Sequence, residues 1–287
     1  LASGLTRVLA DTDLRSPGKA DGSAIHAQSQ RHAVTRCAAS PASFASLLRT
    51  TGSLACFRKI YSGGAPVFPD LLEKLSVAIP QAEVTAVFGS TEAEPMTHLE
   101  AADYDERRKA MTAAGFGLCA GFAVEEVELR LIRDHWGQSL KTIEAGAFDA
   151  LACTPGQAGE VVVTGDHVLT GYLGGIGDEE TKIHAGGKVW HRTGDAGWMD
   201  ESGCLWLLGR CSAKLPPSPV QAPTLPSGAL DYPFAIESAL RVRHPETKTA
   251  ALGWKGRRIL VAEGLPSGNG SDSLPAEALR EQPMRGG

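Results

Sequence analysis

The sequence contains no two cysteines at CxxC spacing. Its six cysteines, at positions 37, 56, 119, 153, 204 and 211, are scattered, and the nearest pair, Cys204 and Cys211, falls at either end of an expected strand. That scatter argues against a zinc site or a disulfide framework and fits a reducing, cytoplasmic setting. His98, His135, His167 and His184 show no ligand spacing and read as structural or exposed. An excess of basic charge is also missing: 28 Lys and Arg stand against 33 Asp and Glu, for a net charge of −5. This argues against a nucleic-acid partner, which needs a basic face. No run approaches the ~18 apolar residues of a membrane span, and no basic-then-apolar segment opens the chain. The first residue is Leu1 rather than methionine, which points to a fragment or a processed product.

What is present is ample material for a core. Of the 287 residues 43% are hydrophobic and 21% charged, enough for one large domain or two modest ones. Residues 1–30 lack periodicity and read as an irregular lead-in. Ser40-Pro41 reads as an N-cap followed by proline at the first helical position, opening a helix to about Thr50. Arg58 to Ser62 reads as a strand and Pro69 to Ile79 as a helix with Leu71, Leu72, Leu75 and Val77 on its apolar side. Glu83 to Phe88 reads as a second strand. A strand–helix–strand unit of this length suits a parallel crossover, which brings the two strand ends to one edge of the sheet, where open α/β sheets bind ligands. Beyond about residue 120 the character turns to β: Val127 to Ile132, Glu160 to Thr164, and a hairpin from Trp198 to Leu208 turning at Asp200-Glu201-Ser202-Gly203. A Pro-rich linker (215–228), a helix from Asp231 to Val242 and a strand from Arg258 to Ala262 follow. The Gly/Ser/Pro-rich tail from Gly264 reads as mobile.

Four short motifs stand in order: Ser62-Gly63-Gly64-Ala65-Pro66, Phe88-Gly89-Ser90-Thr91-Glu92, Thr193-Gly194-Asp195 and Gly209-Arg210. Singly each has a bland reading. Gly63-Gly64 suits any loop, Glu92 a solvated surface carboxylate, Asp195 a turn before Gly197, and Phe88 a place partly in the core. The five tryptophans read as core, with Trp190 the one near a ligand, and His191 reads as structural. In their order and spacing the four motifs resemble the ANL superfamily of AMP-forming, adenylating enzymes. The flanks agree: Gly159-Glu160-Val161-Val162-Val163 with Gly165 and Gly171-Tyr172 is similar to the family's "GEIVVRG…GY", and Trp190 through Gly197 to its "WFHTGDLG". Within that superfamily the text from Lys182-Ile183 through Trp206 resembles the olefin-biosynthesis β-lactone synthetases.

The resemblance implies an acyl-CoA synthetase-like α/β fold. Residues 30–120 would form a parallel-sheet layer and 121–210 a β-rich subdomain, together a partial adenylate-binding domain at 1–210. Residues 211–287 would hold the linker and an incomplete small α+β domain. It also implies site roles. Gly63, Gly64 and Ala65 would let the backbone approach adenine, with Phe88, Gly89 and Ser90 beside it and the Phe88 ring as platform. Thr91 would offer its hydroxyl to the α-phosphate and Glu92 a carboxylate to Mg²⁺. Asp195 would accept from both ribose hydroxyls, and Arg210 would add a charged contact. The implied chemistry joins a fatty or other apolar carboxylic acid to AMP from ATP, then passes the acyl group to a thiol such as that of CoA or a carrier protein. The β-lactone branch would instead close a β-hydroxy acid on itself. A third reading is an inactive adenylate-binding remnant. The family's "TSGTTGxPKG" phosphate loop is absent, and its "GRxKD" hinge is replaced by Gly209-Arg210-Cys211-Ser212-Ala213-Lys214. No lysine follows Lys255, where the family has a late "GK". The chain by itself is therefore expected to adenylate slowly or not at all.

Overall fold

The structure is a computed structural model that describes residues 4–13, 15–50, 54–218, 222–245 and 247–263. The tail from Gly264 onward and residues 219–221 of the Pro-rich run lie outside the described residues. The supposed lead-in contains a helix, α1 (Gly22–Arg31), whose first amide groups are held by Asp21: its carboxylate accepts from the amides of Ser23 and Ala24. The sequence reading missed it because its apolar face is thin: of its side chains only Ile25 and Ser29 are buried.

Strand β1 (Arg36–Ala39) leads to α2 (Pro41–Leu47), which starts where Ser40 and Pro41 predict, with the Ser40 hydroxyl accepting from the Ser43 amide at 3.2 Å. Strand β2 (Lys59–Ser62), helix α3 (Pro69–Ala78) and strand β3 (Glu83–Ser90) form the expected crossover, and β1, β2 and β3 pair in parallel. Leu71, Leu72 and Leu75 of α3 are buried against this layer, but Val77 is 83% exposed. Val77 lies two residues beyond Leu75, about 200° around the helix, so it belongs to the opposite face; its assignment to the apolar side is corrected.

Beyond β3 the sheet continues antiparallel. Strand β4 (Ala93–Glu100) pairs with β3; after α4 (Glu106–Ala114), β5 (Leu118–Ala123) pairs with β4. Then come β6 (Val127–Ile132), α5 (Ala145–Asp149), β7 (Gly159–Gly165), α6 (Asp178–Thr181), β8 (Lys182–Ala185), β9 (Lys188–Met199) and β10 (Leu205–Arg210). The sheet has ten strands in the order β1-β2-β3-β4-β5-β10-β9-β7-β6, with β8 on β9. One sheet therefore carries both the parallel layer and the β-rich region, joined where β5 pairs with β10.

The join is tight. Gly121 of β5 has φ +89°, and a Cβ there would lie 2.0 Å from the His98 carbonyl oxygen. Gly121→Ala is expected to cost about 2 kcal/mol, the left-handed backbone and the displaced β4 carbonyl acting together; a lowered urea midpoint at unchanged m-value checks it. Close by, the thiols of Cys119 and Cys204 lie 3.1 Å apart, and the described cysteines are free.

The β9–β10 hairpin turns at Asp200, as expected. Its carboxylate accepts from the Ser202 and Cys204 amides and from the Trp206 indole at 3.0 Å, while Trp198 and Trp206 stack with centroids 5.8 Å apart. After β10 the described ends of the Pro-rich run are packed. Leu215 is buried, and the Ser227 carbonyl accepts from the Ala158 amide ahead of β7. Helix α7 (Phe234–Arg243) lies against α4, and β11 (Thr249–Trp254) pairs with β12 (Arg257–Ala262) as a separate two-stranded sheet.

Candidate functional site

The site forms where β2 and β3 end beside each other. Ser62 pairs with Ala86, so the chain leaving β2 runs alongside Val87. A Cβ on Gly63 would meet the Val87 carbonyl oxygen at 2.8 Å, so glycine is what lets this loop hug β3. Gly89 sits in an irregularity of the β3–β4 ladder between Phe88 and Ser90, and a Cβ there would press on Ala93 and Glu94.

The opposite wall comes from β9 and β10. Gly194, at φ +69°, bends β9 around the Trp136 ring, and Asp195 pairs directly with Arg210 across the ladder. Asp195 is thus a strand residue; the reading of it as a turn residue before Gly197 is corrected. The bend is fixed by Thr193, whose hydroxyl donates to the Val161 carbonyl and accepts from the Asp195 amide, each at 3.0 Å.

These walls enclose a cavity of about 340 Å³. Gly64, Ala65, Phe88, Gly89, Ser90, Asp195 and Arg210 all line it. The lining is mainly apolar, with Val87, Leu118, Ala120 and Leu207 adding to it. Phe88 lines the cavity with part of its surface and also packs against the core around Met96 and Val163. The Arg210 guanidinium lies 3.3 Å from the Asp195 carboxylate and donates to the Thr193 carbonyl. Burial pushes the Asp195 carboxyl up to about 6, against the pull of Arg210 and Thr193. The Ser90 hydroxyl is buried and, beside Glu92, helps to hold that carboxyl low.

Three of the expected site residues, Gly63, Thr91 and Glu92, do not line the cavity. Gly63 supports its wall from behind. Thr91 and Glu92 occupy the turn between β3 and β4, and Thr91 is exposed. Glu92 belongs to an adjoining cluster: the Tyr172 hydroxyl donates to its carboxylate at 2.7 Å, and the Leu169 amide donates to its carbonyl at 2.7 Å. Partial burial works against the Glu92 charge, yet hydrogen bonding led by Tyr172 holds the carboxyl below its ordinary range.

Sequence reasoning missed the roof of the cavity. Pro233 and Phe234, at the start of α7, line it, and Gly209, at φ +123°, leaves room for them: a Cβ there would lie 3.0 Å from the Pro233 ring. It also missed the buried ion pair of Glu160 and Arg192 behind Asp195. Both residues were quoted only as flanking text. Trp190, expected near the ligand, is buried against Phe148 with ring centroids 5.1 Å apart and does not line the cavity. Among the described residues no cluster of three or more His, Cys, Asp or Glu forms a metal cage. A divalent ion here would rest on Glu92 together with phosphate oxygens, the arrangement Mg²⁺ favours.

The sequence profile of AMP-binding enzymes matches residues 1–173. The chain belongs to the AMP-binding enzyme family. The olefin β-lactone synthetase of Stenotrophomonas maltophilia (strain K279a) is 32% identical over 222 residues, covering 73% of this chain and 38% of the relative. That of Xanthomonas campestris pv. campestris is 31% identical over 258 residues, covering 88% and 44%. The 4-coumarate–CoA ligase 3 of Oryza sativa subsp. japonica is 29% identical, covering 71% and 31%. The chain spans less than half the length of these relatives.

Among solved structures, o-succinylbenzoate CoA synthetase (MenE) from Bacillus subtilis in complex with the acyl-adenylate intermediate OSB-AMP superposes with TM-score 0.61 at 24% identity, over 84% of this chain and 43% of that one. Klebsiella oxytoca NpsA in complex with 3-hydroxyanthranilyl-AMSN gives TM-score 0.62 at 19% identity, over 86% and 47%. This likeness gives the fold, the acyl-CoA synthetase-like α/β fold of adenylate-forming enzymes. Among the described residues no helix is long and apolar enough to cross a membrane.

Proposed function

We propose that this chain supplies the adenosine-binding part of an ATP-dependent, AMP-forming carboxylic acid ligase acting on a fatty or other apolar acid. The observation that carries the reading is the convergence of Gly64, Ala65, Phe88, Ser90, Asp195 and Arg210 on one cavity in a chain of the AMP-binding enzyme family. In this reading the Gly64-Ala65 backbone and the Phe88 ring enclose adenine. Asp195 accepts from the ribose hydroxyls. Arg210 swings from Asp195 to the ribose or α-phosphate. Thr91, on the exposed turn, meets the α-phosphate from outside the cavity, and Glu92 holds Mg²⁺. Held there, Mg²⁺ would supply positive charge to set against the negative charge of the phosphates. What the protein contributes is placement: two reactants held in line, with the apolar lining excluding water. The setting proposed is cytoplasmic, with CoA or a carrier-protein thiol as acyl acceptor.

A second reading is favoured by a specific observation. The two olefin β-lactone synthetases match at 32% and 31% identity, above the CoA ligase. There the substrate would be a β-hydroxy acid and no thiol would be required.

Calorimetry of AMP binding tests the common core. Micromolar binding is expected, and Asp195→Ala is expected to weaken it at least tenfold by removing the ribose acceptor. No binding by a folded wild-type chain would withdraw the assignment. Calorimetry with stable acyl-adenylate analogues of a fatty acid and of a β-hydroxy fatty acid then separates the two readings, tighter binding of the β-hydroxy analogue favouring the second.

A further inference from the structure

Behind Glu92 lies a polar cluster that the adenosine cavity does not use. Lys182, at the start of β8, is fully buried, and both of its hydrogen-bond partners are neutral: the Leu169 carbonyl oxygen and His191 Nδ1, the latter at 3.1 Å. Its ammonium also lies 5.1 Å from the centre of the Tyr172 ring. Burial opposes that charge and the nearby Glu92 and Asp178 carboxylates only partly offset the cost, so its place there needs a structural reason. The reason is visible in what it fixes. Lys182 grips the carbonyl of Leu169, whose own amide grips the carbonyl of Glu92. The chain then runs to Tyr172, whose amide donates to the Asp178 carboxylate at 2.8 Å and whose hydroxyl reaches the Glu92 side chain. Glu92 is thus pinned twice, through its backbone by Leu169 and through its carboxylate by Tyr172, and both pins are anchored by Lys182.

We infer that Tyr172, anchored by Lys182 and Asp178, is a positioning residue that aims the Glu92 carboxylate at a phosphate-bound divalent cation. The inference rests on the ligase reading and deepens it. Charge at the cluster agrees with it. Burial and the Lys182 ammonium press His191 down to about 4, so the imidazole is neutral and accepts from Lys182. The Tyr172 hydroxyl occupies one Glu92 carboxylate oxygen and fixes the rotamer of a side chain that three torsions would otherwise leave mobile.

The experiment measures how much Mg²⁺ strengthens ATP binding to the full chain, by calorimetry, beside metal-free AMP binding. Tyr172→Phe is expected to reduce the Mg²⁺-dependent gain at least fivefold while leaving AMP affinity within twofold. In a Glu92→Gln background the same change should do nothing further, because Tyr172 acts only through Glu92. Asp178→Ala, which frees the Tyr172 amide without altering its ring, is the second variant should the first not fold, and is expected to lose at least threefold. An undiminished Mg²⁺ gain in Tyr172→Phe, or an equal loss of metal-free AMP binding, overturns the positioning role and leaves the ligase reading standing. Absence of any Mg²⁺ gain in a wild-type chain that binds AMP overturns the metal role of Glu92, and the positioning role falls with it.

Discussion

Asp195→Asn is expected to make the protein more stable at neutral pH and nearly unable to bind AMP. The Asp195 side chain is only 17% exposed, and burial raises its carboxyl from the ordinary 3.8 to about 6 in the folded state. The sign follows from linkage. Below pH 4 the group is protonated both folded and unfolded, and the wild-type protein has its full stability. Between about 4 and 6 the unfolded chain ionises while the folded one holds its proton, so stability falls as pH rises, and above about 6 the loss is complete. The difference between 3.8 and about 6 corresponds to roughly 1–3 kcal/mol once partial exposure and the weak pair with exposed Arg210 are allowed for. Thermal melts of wild type and variant should therefore coincide near pH 3.5 and diverge towards pH 7, with the variant higher. AMP affinity of the wild type should rise with pH over the same window, since the ribose hydroxyls need the ionised carboxylate as acceptor. The variant, whose amide can accept only with its oxygen, should show little such dependence. A wild type more stable than the variant at pH 7 would mean that Asp195 is held by interactions strong enough to outweigh its burial. A binding site held at the expense of stability is a familiar pattern, and here it would rest on a single carboxylate.

What the sequence made legible divides along physical lines. The crossover from β2 through α3 to β3 could be read because each element carries its own period and its own punctuation: Pro69 at the helix start and glycines just after β2 and near the end of β3. The Asp200 turn was readable for the same reason, since an Asx side chain folds the turn on itself. Strand β4 was not, because Glu94, Pro95 and His98 break its alternation. It exists because β3 and β5 offer partners on either side. The place of the cavity followed from topology, two parallel strands ending at one edge, but its roof did not. Pro233 and Phe234 arrive from nearly 150 residues away, and no local pattern announces that packing. Tyr172 and Glu92 are separated by 80 positions. Each was quoted as motif text, but the hydrogen bond joining them is a fact of three dimensions. Val77 shows the converse error: a hydrophobic residue near the end of a helix was assigned to the apolar face although its angle excludes it.

Arg192→Ala is expected to cost about 3–5 kcal/mol, because it strands a charge in the sheet. Glu160 on β7 is 0% and Arg192 on β9 1% exposed in their side chains. The guanidinium meets the carboxylate through Nε at 3.0 Å and Nη2 at 2.6 Å, donates to the Gln138 carbonyl at 2.7 Å, and lies 5.4 Å from the centre of the Trp136 ring. Burial presses the Glu160 carboxyl upward and Arg192 only partly restores it, so without the arginine the carboxylate must take a proton or open the sheet. Glu160→Ala should cost as much from the other side. The double change Glu160→Met with Arg192→Met should cost far less than either, because a buried pair replaced by apolar side chains of similar volume leaves nothing unpaired. Urea denaturation of the four proteins checks this; additive costs would show that the two residues act independently. The pair also bears on function. It locks β7 to β9 at the irregularity between Glu160 and Val162, and the same Trp136 ring that covers Arg192 is the one around which Gly194 bends to present Asp195. If the apolar double variant folds with near wild-type stability but binds AMP weakly, the pair sets the aim of Asp195 beyond holding the sheet together. If it binds AMP as well as wild type, the ring and the strand bend suffice to aim Asp195, and the ion pair serves stability alone.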